Sequence, residues 1–152
     1  MPISLLLALI STGPAGAATP LQVTTTVTVE RPLAMRDGTT RTVAVAGTRA
    51  RPGDRLLVAL ACRNAGRVPI ADLMLADPVP RELAYRGPAT GTPEPDVSVD
   101  GRAFAPLAAL RVPIAAGTRP AGPDDVVAVR WRIAGALAPG SAARLSFRAV
   151  LR

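Results

Sequence analysis

Hydrophobic and polar residues alternate along most of this chain, and a period of two residues predicts β-strands rather than helices. The strand that follows the Pro52 turn has apolar side chains on both faces, which is typical of a central strand. One face of this strand carries Leu56, Val58, Leu60 and Cys62, and the other carries Leu57, Ala59, Ala61 and Arg63. We therefore expect the sheet to be built around this strand, residues 56–63, within the stretch from Pro52 to Gly66.

The same alternation predicts further short strands on both sides of this one. In residues 21–30 apolar side chains alternate with Gln and Thr, which indicates a half-buried strand that Pro32 and Asp37-Gly38 bring to an end. In residues 97–104 an Asp100-Gly101 pair suits the two positive-φ positions of a tight hairpin turn. Residues 113–125 read as a loop. A turn and a further strand are predicted within residues 67–80, and the remaining predicted strands cover residues 39–45, 83–85, 126–134 and 142–151.

The last two predicted strands place arginines and apolar side chains on opposite faces. The inward set is Val127, Val129, Trp131 and Ile133 on one strand and Leu145, Phe147, Ala149 and Leu151 on the other. The outward set is Arg130, Arg132, Arg144, Arg148 and Arg152. A short Pro-Gly turn joins the two strands, so we expect antiparallel pairing that collects these arginines on one sheet face. Such a face is either an anion-binding surface or a solvated face in an arginine-biased composition.

Seven or eight short alternating segments, separated by Gly and Pro turns, indicate an all-β fold. No stretch of helical period exceeds two turns. The arrangement predicts an immunoglobulin-like antiparallel β-sandwich with Trp131 between its sheets.

Several turn motifs resemble one protein family in their order along residues 21–152. They are Pro52-Gly-Asp, Asn64-x-Gly66, Asp77-Pro-Val-Pro-x-x-Leu83-x-Tyr85, Ser98-Val-Asp-Gly-Arg-Ala-Phe104, Val129-Arg-Trp131 and Leu137-Ala-Pro-Gly140 with Leu145-Ser-Phe147. They are similar to the bacterial domain of unknown function number eleven, the conserved repeat domain of envelope proteins. The resemblance implies an immunoglobulin-like sandwich, export and a structural or adhesive role, and it brings no catalytic residues. This chain holds one copy of the repeat, which favours a small periplasmic or secreted protein over a stalk.

The beginning of the chain predicts export. An apolar run over residues 3–10 precedes small residues at Ala15 and Ala17, which suit a signal-peptidase cut. We therefore expect a secretory signal peptide over residues 1–18 and one domain over residues 19–152. The run is too short to span a bilayer, so no transmembrane segment is expected in the mature chain. The alternative is a buried first strand of a cytosolic protein.

Charge is the most unusual feature of the composition. The net charge is +7, and all 18 basic residues are arginine. Because Pro, Gly and Ala are also abundant, this arginine bias fits a GC-rich coding sequence. The positive charge is therefore weak evidence that the protein binds nucleic acid. Single-strand binding also needs aromatic stacking platforms, and the chain has one Trp, one Tyr and two Phe. We expect no nucleic-acid partner.

The sequence offers little for catalysis. It has no His and no Lys, which excludes the triads that depend on these residues, and its only Cys cannot build a thiolate metal site. We expect Cys62 to be a buried thiol, with an intermolecular disulfide as the alternative. Asp96 with Asp100, and the Asp124-Asp125 pair, lack the interleaved spacing of calcium loops, so we expect no metal, no cofactor and no enzymatic activity. Asp54, Asp77 and Asn64 are expected to accept backbone N–H bonds in turns.

The resulting expectation is a non-catalytic, exported structural or interaction module of the bacterial cell envelope. Its partner would be an envelope protein, and its location periplasmic or extracellular. The alternative is a module that binds an anionic envelope polymer or lipid headgroups through the arginine-rich face.

Overall fold

The computed structural model describes residues 20–47 and 50–152, and these residues form an all-β fold with antiparallel sheets. The predicted signal peptide lies outside the described residues. The described strands are β1 (Leu21–Ala34), β2 (Thr40–Ala46), β3 (Arg55–Asn64), β4 (Met74–Pro78), β5 (Leu83–Pro88), β6 (Asp96–Ser98), β7 (Arg111–Ile114), β8 (Gly117–Pro120), β9 (Ala128–Arg132) and β10 (Ala142–Leu151). Short 3-10 turns cover Leu107–Ala109 and Pro123–Asp125.

The largest sheet has five strands in the order β2-β1-β3-β10-β5. The prediction that residues 56–63 form a central strand is confirmed, because β3 contains them and pairs with β1 on one side and with β10 on the other. Its predicted inward side chains, from Leu56 to Cys62, are buried. Because both edges of β3 are hydrogen-bonded and one face is covered, this strand anchors the sheet.

A second sheet has three strands in the order β4-β9-β6. The strand β9 is its centre, with Trp131 opposite Leu75 of β4 and Val129 opposite Val97 of β6. The strands β7 and β8 form a separate two-stranded hairpin. The expectation that β9 and β10 pair is therefore wrong: they lie in different sheets, and the chain between them crosses from one sheet to the other.

The two larger sheets contribute side chains to one hydrophobic core. Phe147 of β10 is fully buried, and its ring centroid lies 5.8 Å from that of Tyr85 and 6.3 Å from that of Trp131. These separations fall in the range where aromatic rings attract each other beyond simple area burial. The indole Nε1 of Trp131 donates a hydrogen bond to the carbonyl of Pro93 at 2.9 Å, so its one polar atom is satisfied. Cys62 is buried in the same core, as predicted.

Asn64 ties together the loops at one end of the five-stranded sheet. It is fully buried at the end of β3, and its Nδ2 donates to the carbonyls of Val68 at 2.8 Å and Leu137 at 2.9 Å. Its Oδ1 accepts a bond from the Gly66 N–H at 2.9 Å, which confirms the predicted role as an acceptor in this turn. A buried amide must satisfy its polar atoms within the protein, and Asn64 does so by joining its own turn, residues 64–68, to the distant segment at Leu137.

Three local predictions are corrected. Pro32 does not end β1, which continues to Ala34, because beyond Glu30 the strand pairs only with β2 and has no β3 neighbour. Residues 113–125 are not all loop, since β7 and β8 pair around a turn that ends at Gly117. The Asp100-Gly101 turn is not a two-residue hairpin, because only Gly101 of the pair has positive φ.

The wider turn after β6 has a clear physical cause. The Asp100 carboxylate accepts bonds from the backbone N–H groups of Arg102 at 2.8 Å and Ala103 at 2.9 Å. The backbone pairing resumes between Val97 and Ala105. A short aspartate side chain thus caps the loop in place of a tight backbone turn.

The inward face of β9 also differs from its prediction at one end. Val129 and Trp131 are buried and Ile133 packs on the core, but Val127 is 41% exposed. The residue that turns inward is Val126, which follows the 3-10 turn before β9 begins. The regular alternation therefore starts only at Ala128.

Trp131→Ala is expected to lower the free energy of unfolding by about 3 to 5 kcal/mol, because it removes a buried aromatic side chain. Chemical denaturation followed by circular dichroism measures the change. In the wild-type protein, Trp131 fluorescence should resist quenching by iodide because the side chain is 3% exposed.

Val127→Ala is the matched control on the same segment. Since Val127 is exposed, this change should cost less than about 0.5 kcal/mol. Equal losses for the two variants would show that the inward face of β9 is assigned wrongly.

Candidate functional site

The five predicted anion-binding arginines do not share one sheet face. Arg130 and Arg132 lie on the outer face of the three-stranded sheet, because Val129 and Trp131, which alternate with them along β9, face the core. Arg144 and Arg148 lie on the outer face of the five-stranded sheet, and Arg152 follows the end of β10. The hypothesis of one continuous arginine face is therefore corrected by the sheet order.

On the three-stranded sheet the arginines have partners. An Arg130 terminal nitrogen lies 3.5 Å from an Asp96 carboxylate oxygen, and its guanidinium carbon lies 4.4 Å from the centre of the Phe104 ring. Arg132 approaches the sulfur of Met74 at 3.9 Å. The Asp96 carboxylate on β6 and the Phe104 ring that follows this strand thus offset the positive charge of Arg130 on β9.

Arg148 and Arg152 also meet acceptors from distant parts of the chain. The Arg148 Nε lies 3.5 Å from a Glu30 carboxylate oxygen across the outer face of the sheet. An Arg152 terminal nitrogen donates to the Asp124 carbonyl at 2.9 Å, with a carboxylate oxygen of the same residue at 3.9 Å. Neither β9 nor β10 carries an acid, so the partners of Arg148 and Arg152 come from β1 and from the 3-10 turn at Pro123–Asp125.

A smaller basic patch is present on the outer face of the five-stranded sheet. In the register of β3 with β10, Arg63 lies opposite Ala142 and Arg144 lies opposite Ala61, so the two arginines are diagonal neighbours. Both side chains are exposed, and neither forms a hydrogen bond or ion pair with any residue that the structure describes. We call Arg63 and Arg144 the sheet-face arginine pair. Alternation correctly placed Arg63 on the outer face of β3, but nothing local in the sequence revealed that β10 lies beside it.

The remaining candidate acids serve turns and ion pairs. The two terminal guanidinium nitrogens of Arg119 donate hydrogen bonds to the two Asp125 carboxylate oxygens at 2.7 and 2.8 Å. This pairing lowers the pKa of Asp125 to about 2. Asp124 accepts a bond from Arg86 at 2.8 Å. Asp54 accepts the Arg51 N–H at 2.9 Å, as predicted. Within residues 20–47 and 50–152, no three His, Cys, Asp or Glu side chains come together as a metal site would require.

Asp77 is the exception among the carboxylates. It lies in the middle of β4, opposite Val129 of β9, and its side chain points to the core between those of Leu75 and Val79. The residue is 4% exposed, and no described residue forms a hydrogen bond or ion pair with its carboxylate. The prediction that Asp77 accepts N–H bonds in a turn is wrong, because the residue is inside a strand and its turn begins only after Pro78.

A small cavity adjoins this carboxylate at the side of the molecule where β1 and β4 approach each other. Its lining is otherwise apolar apart from one hydroxyl, and consists of Thr25, Val27, Val58, Asp77, Pro78, Pro80, Leu83 and Phe147. Burial in these surroundings disfavours the charged form and raises the pKa of Asp77 to about 6. Asp77 therefore changes its protonation state near neutral pH in the folded protein.

The sign of the resulting pH dependence follows from linkage. Because the folded-state pKa of about 6 exceeds the ordinary value of 3.8, the folded protein holds this proton more tightly than the unfolded chain does. The stabilising effect of the protonated group is fully present below about pH 4 and is lost as the pH rises through 6. The shift corresponds to about 3 kcal/mol between these limits.

Asp77→Asn is expected to raise the melting temperature at pH 7.5, because the neutral amide is not penalised by burial as the carboxylate is. The advantage over wild type should shrink as the pH is lowered towards 4.5. Thermal unfolding of both proteins across this range measures the difference. Glu82→Gln makes the same chemical change at an exposed carboxylate and should give no such gain, and an equal gain for both variants would contradict the assignment to Asp77.

A scan of the sequence against protein-family models finds no match, and searches of curated proteins and of solved structures find none either. The resemblance to the conserved repeat domain therefore stays a prediction from the quoted motifs. In the described part of the chain, no helix has the length and apolar character needed to cross a membrane.

Proposed function

We propose that this chain is a non-catalytic, exported structural or interaction module of the bacterial cell envelope, with an immunoglobulin-like β-sandwich fold. The two larger antiparallel sheets share one core through Phe147 and Trp131, as the sheets of a sandwich do. The family resemblance and the predicted signal peptide supply the envelope location, periplasmic or extracellular.

The observation that carries the proposal is the structural role of the motif residues, namely those whose order along the chain defines the family resemblance. Asp54 caps a turn, Asn64 joins its own turn to the segment at Leu137, and Tyr85, Trp131 and Phe147 meet in the core. These motif residues therefore serve packing and backbone hydrogen bonding, whereas Asp77 of the same motifs does not. A sequence signature of this kind specifies a scaffold, and its function would lie in the surface that the scaffold presents.

Export can be tested by intact mass spectrometry of the protein recovered from its native host. The mature chain is expected to begin near Ala18 or Thr19, because Ala15 and Ala17 suit the signal-peptidase cut. Crosslinking in the same envelope fraction should then capture neighbouring envelope proteins. Full-length chain found only in the cytosol would contradict the proposal.

The alternative function is binding of an anionic envelope polymer or lipid headgroups. The sheet-face arginine pair favours it, because two exposed guanidinium groups on a rigid sheet are free to bind phosphate or carboxylate in bidentate fashion. The positive net charge of +7 would assist the approach of such a polymer. A role for Arg130, Arg132, Arg148 and Arg152 would require exchange of their present partners.

Binding can be measured by titrating the protein with anionic vesicles or an acidic polysaccharide at low and moderate salt. Wild-type binding should weaken steeply with salt, and Arg63→Ser with Arg144→Ser should abolish it. The matched control is Arg130→Ser with Arg132→Ser, which removes the same charge from the other sheet and should retain most binding. Equal effects of the two double variants would show that only net charge matters.

A further inference from the structure

The hairpin formed by β7 and β8 stands away from the two larger sheets. Among the described strands, residues 111–114 and 117–120 pair only with each other. Every residue of these two strands is exposed except Val112, which is partly buried. The turn between the strands, residues 115–116, is exposed as well. The hairpin therefore presents its tip to the surroundings on both faces.

The tip of this hairpin is apolar. Residues 112–117 are Val-Pro-Ile-Ala-Ala-Gly, and none of these side chains carries a charge or forms hydrogen bonds. Ile114 is 48% exposed, so it is one of the large hydrophobic side chains that the fold leaves in water. Pro113 on β7 and Pro120 on β8 lack a backbone N–H, which disfavours the addition of a further strand at either edge. A binding partner would therefore contact the side chains of the tip rather than extend the hairpin into a larger sheet.

Side-chain contacts brace the hairpin behind its tip. The Arg111 Nε donates a hydrogen bond to the Thr118 hydroxyl at 2.8 Å, and a terminal nitrogen of the same arginine donates to the Thr118 carbonyl at 3.1 Å. At the base, Arg119 pairs with Asp125 at 2.7 Å and so ties β8 to the body of the protein. A tip that is already ordered in the free protein loses little conformational entropy when it enters a partner.

Positive charge collects at the base of the hairpin. The 3-10 turn at Pro123–Asp125 follows the hairpin directly, and its two acids contact three arginines, namely Arg86, Arg119 and Arg152. Arg111 is a fourth arginine, and its guanidinium bonds to neutral groups of Thr118. We call these four arginines and two acids the basic base, and its net charge is +2. Residues 101–122, which include the whole hairpin, contain no acid.

We propose that the hairpin tip inserts into the surface of an anionic phospholipid membrane, with the basic base at the level of the phosphate groups. A strand advances about 3.3 Å per residue, so Arg111 lies roughly 10 Å behind Ile114 along β7. Apolar groups of interfacial membrane-binding segments are buried about 5–10 Å into the boundary between headgroups and acyl chains. The length of the hairpin therefore suits apolar contact at the tip and phosphate contact at the base, where arginine offers bidentate hydrogen bonds.

Charge and chemistry are the reasons for assigning a membrane as the occupant. The net charge of +7 attracts the chain to an anionic surface. A protein partner would form hydrogen bonds across the contact, and the side chains of residues 112–117 offer none, whereas an acyl-chain boundary requires none. The inference goes beyond the proposed function, since it uses neither export nor the sheet-face arginine pair.

Membrane binding can be measured by co-sedimentation of the full chain with vesicles of phosphatidylglycerol and phosphatidylcholine, and with vesicles of phosphatidylcholine alone. Wild type should prefer the anionic vesicles. Ile114→Ser should lower the partition coefficient about tenfold, because burying an isoleucine side chain contributes roughly this factor. Val68→Ser is the matched control and should bind like wild type. Val68 is 71% exposed, and it adjoins Asn64 at the end of β10 opposite to Arg152. All variants keep the same N-terminus, so residues 1–19 affect them equally.

A polarity-sensitive fluorophore at the tip tests insertion directly. Ala115→Cys supplies an exposed thiol for labelling, because Cys62, the one native cysteine, is buried. The emission should shift to shorter wavelength on anionic vesicles, whereas the same label on Val68→Cys should not shift.

Three results would overturn the proposal. An unshifted emission from the tip of the bound protein, or equal binding by Ile114→Ser and wild type, would show that the hairpin stays outside the membrane. Loss of binding in the Arg63→Ser, Arg144→Ser double variant together with full binding by Ile114→Ser would support the sheet-face arginine pair instead. Absence of binding to any vesicle would assign the tip to a protein partner.

Discussion

The contact of Phe147 with aromatic rings from both sheets is the interaction on which this fold depends. Phe147 sits on β10 next to the central strand β3, where Val58 is its direct neighbour. Tyr85 reaches it from the same sheet and Trp131 from the other. The chain has few aromatic residues, and three of its four meet here, so the burial that holds the sheets together is concentrated at one place. The turns and ion pairs elsewhere add to a fold whose two larger sheets are held together by this cluster.

Alternation along the sequence predicted which side chains face inward, and it did so well on β1, β3 and β10. It could not predict which strands are neighbours, because the period of two concerns a single strand and pairing is decided by contacts far apart in the chain. The Pro139-Gly140 turn looked like a hairpin between β9 and β10. In the folded protein the bridge from Ile70 to Leu137 and the bonds of Asn64 instead hold this segment where the chain changes sheets.

The arginines show the same limit of the sequence pattern. Alternation within a strand predicted the direction of each arginine side chain, but it could not predict which charged residues from distant segments lie beside it. Glu30 reaches Arg148 across the central strand, and Asp96 reaches Arg130 from β6. Such exposed pairs add little to stability, about 0 to 1 kcal/mol each, but they reduce the charge available to a ligand. The order of the strands in the sheet determines which arginines remain available to bind an anion. It leaves Arg63 and Arg144 side by side.

Two unusual features occur on the same side of the molecule. The Asp77 carboxylate is buried, and none of the described residues forms a hydrogen bond or ion pair with it. The cavity that it lines also includes Thr25 of β1, and among the described strands residues 21–26 of β1 pair only with β3. Burial of the carboxylate disfavours its charged form, and replacing Asp77 by a neutral residue would remove this cost. Local departures from stable design are expected to concentrate where a protein acts. The coincidence at the β1–β4 side therefore directs the search for function to this seam, rather than to Arg130, Arg132, Arg148 and Arg152, which already have partners.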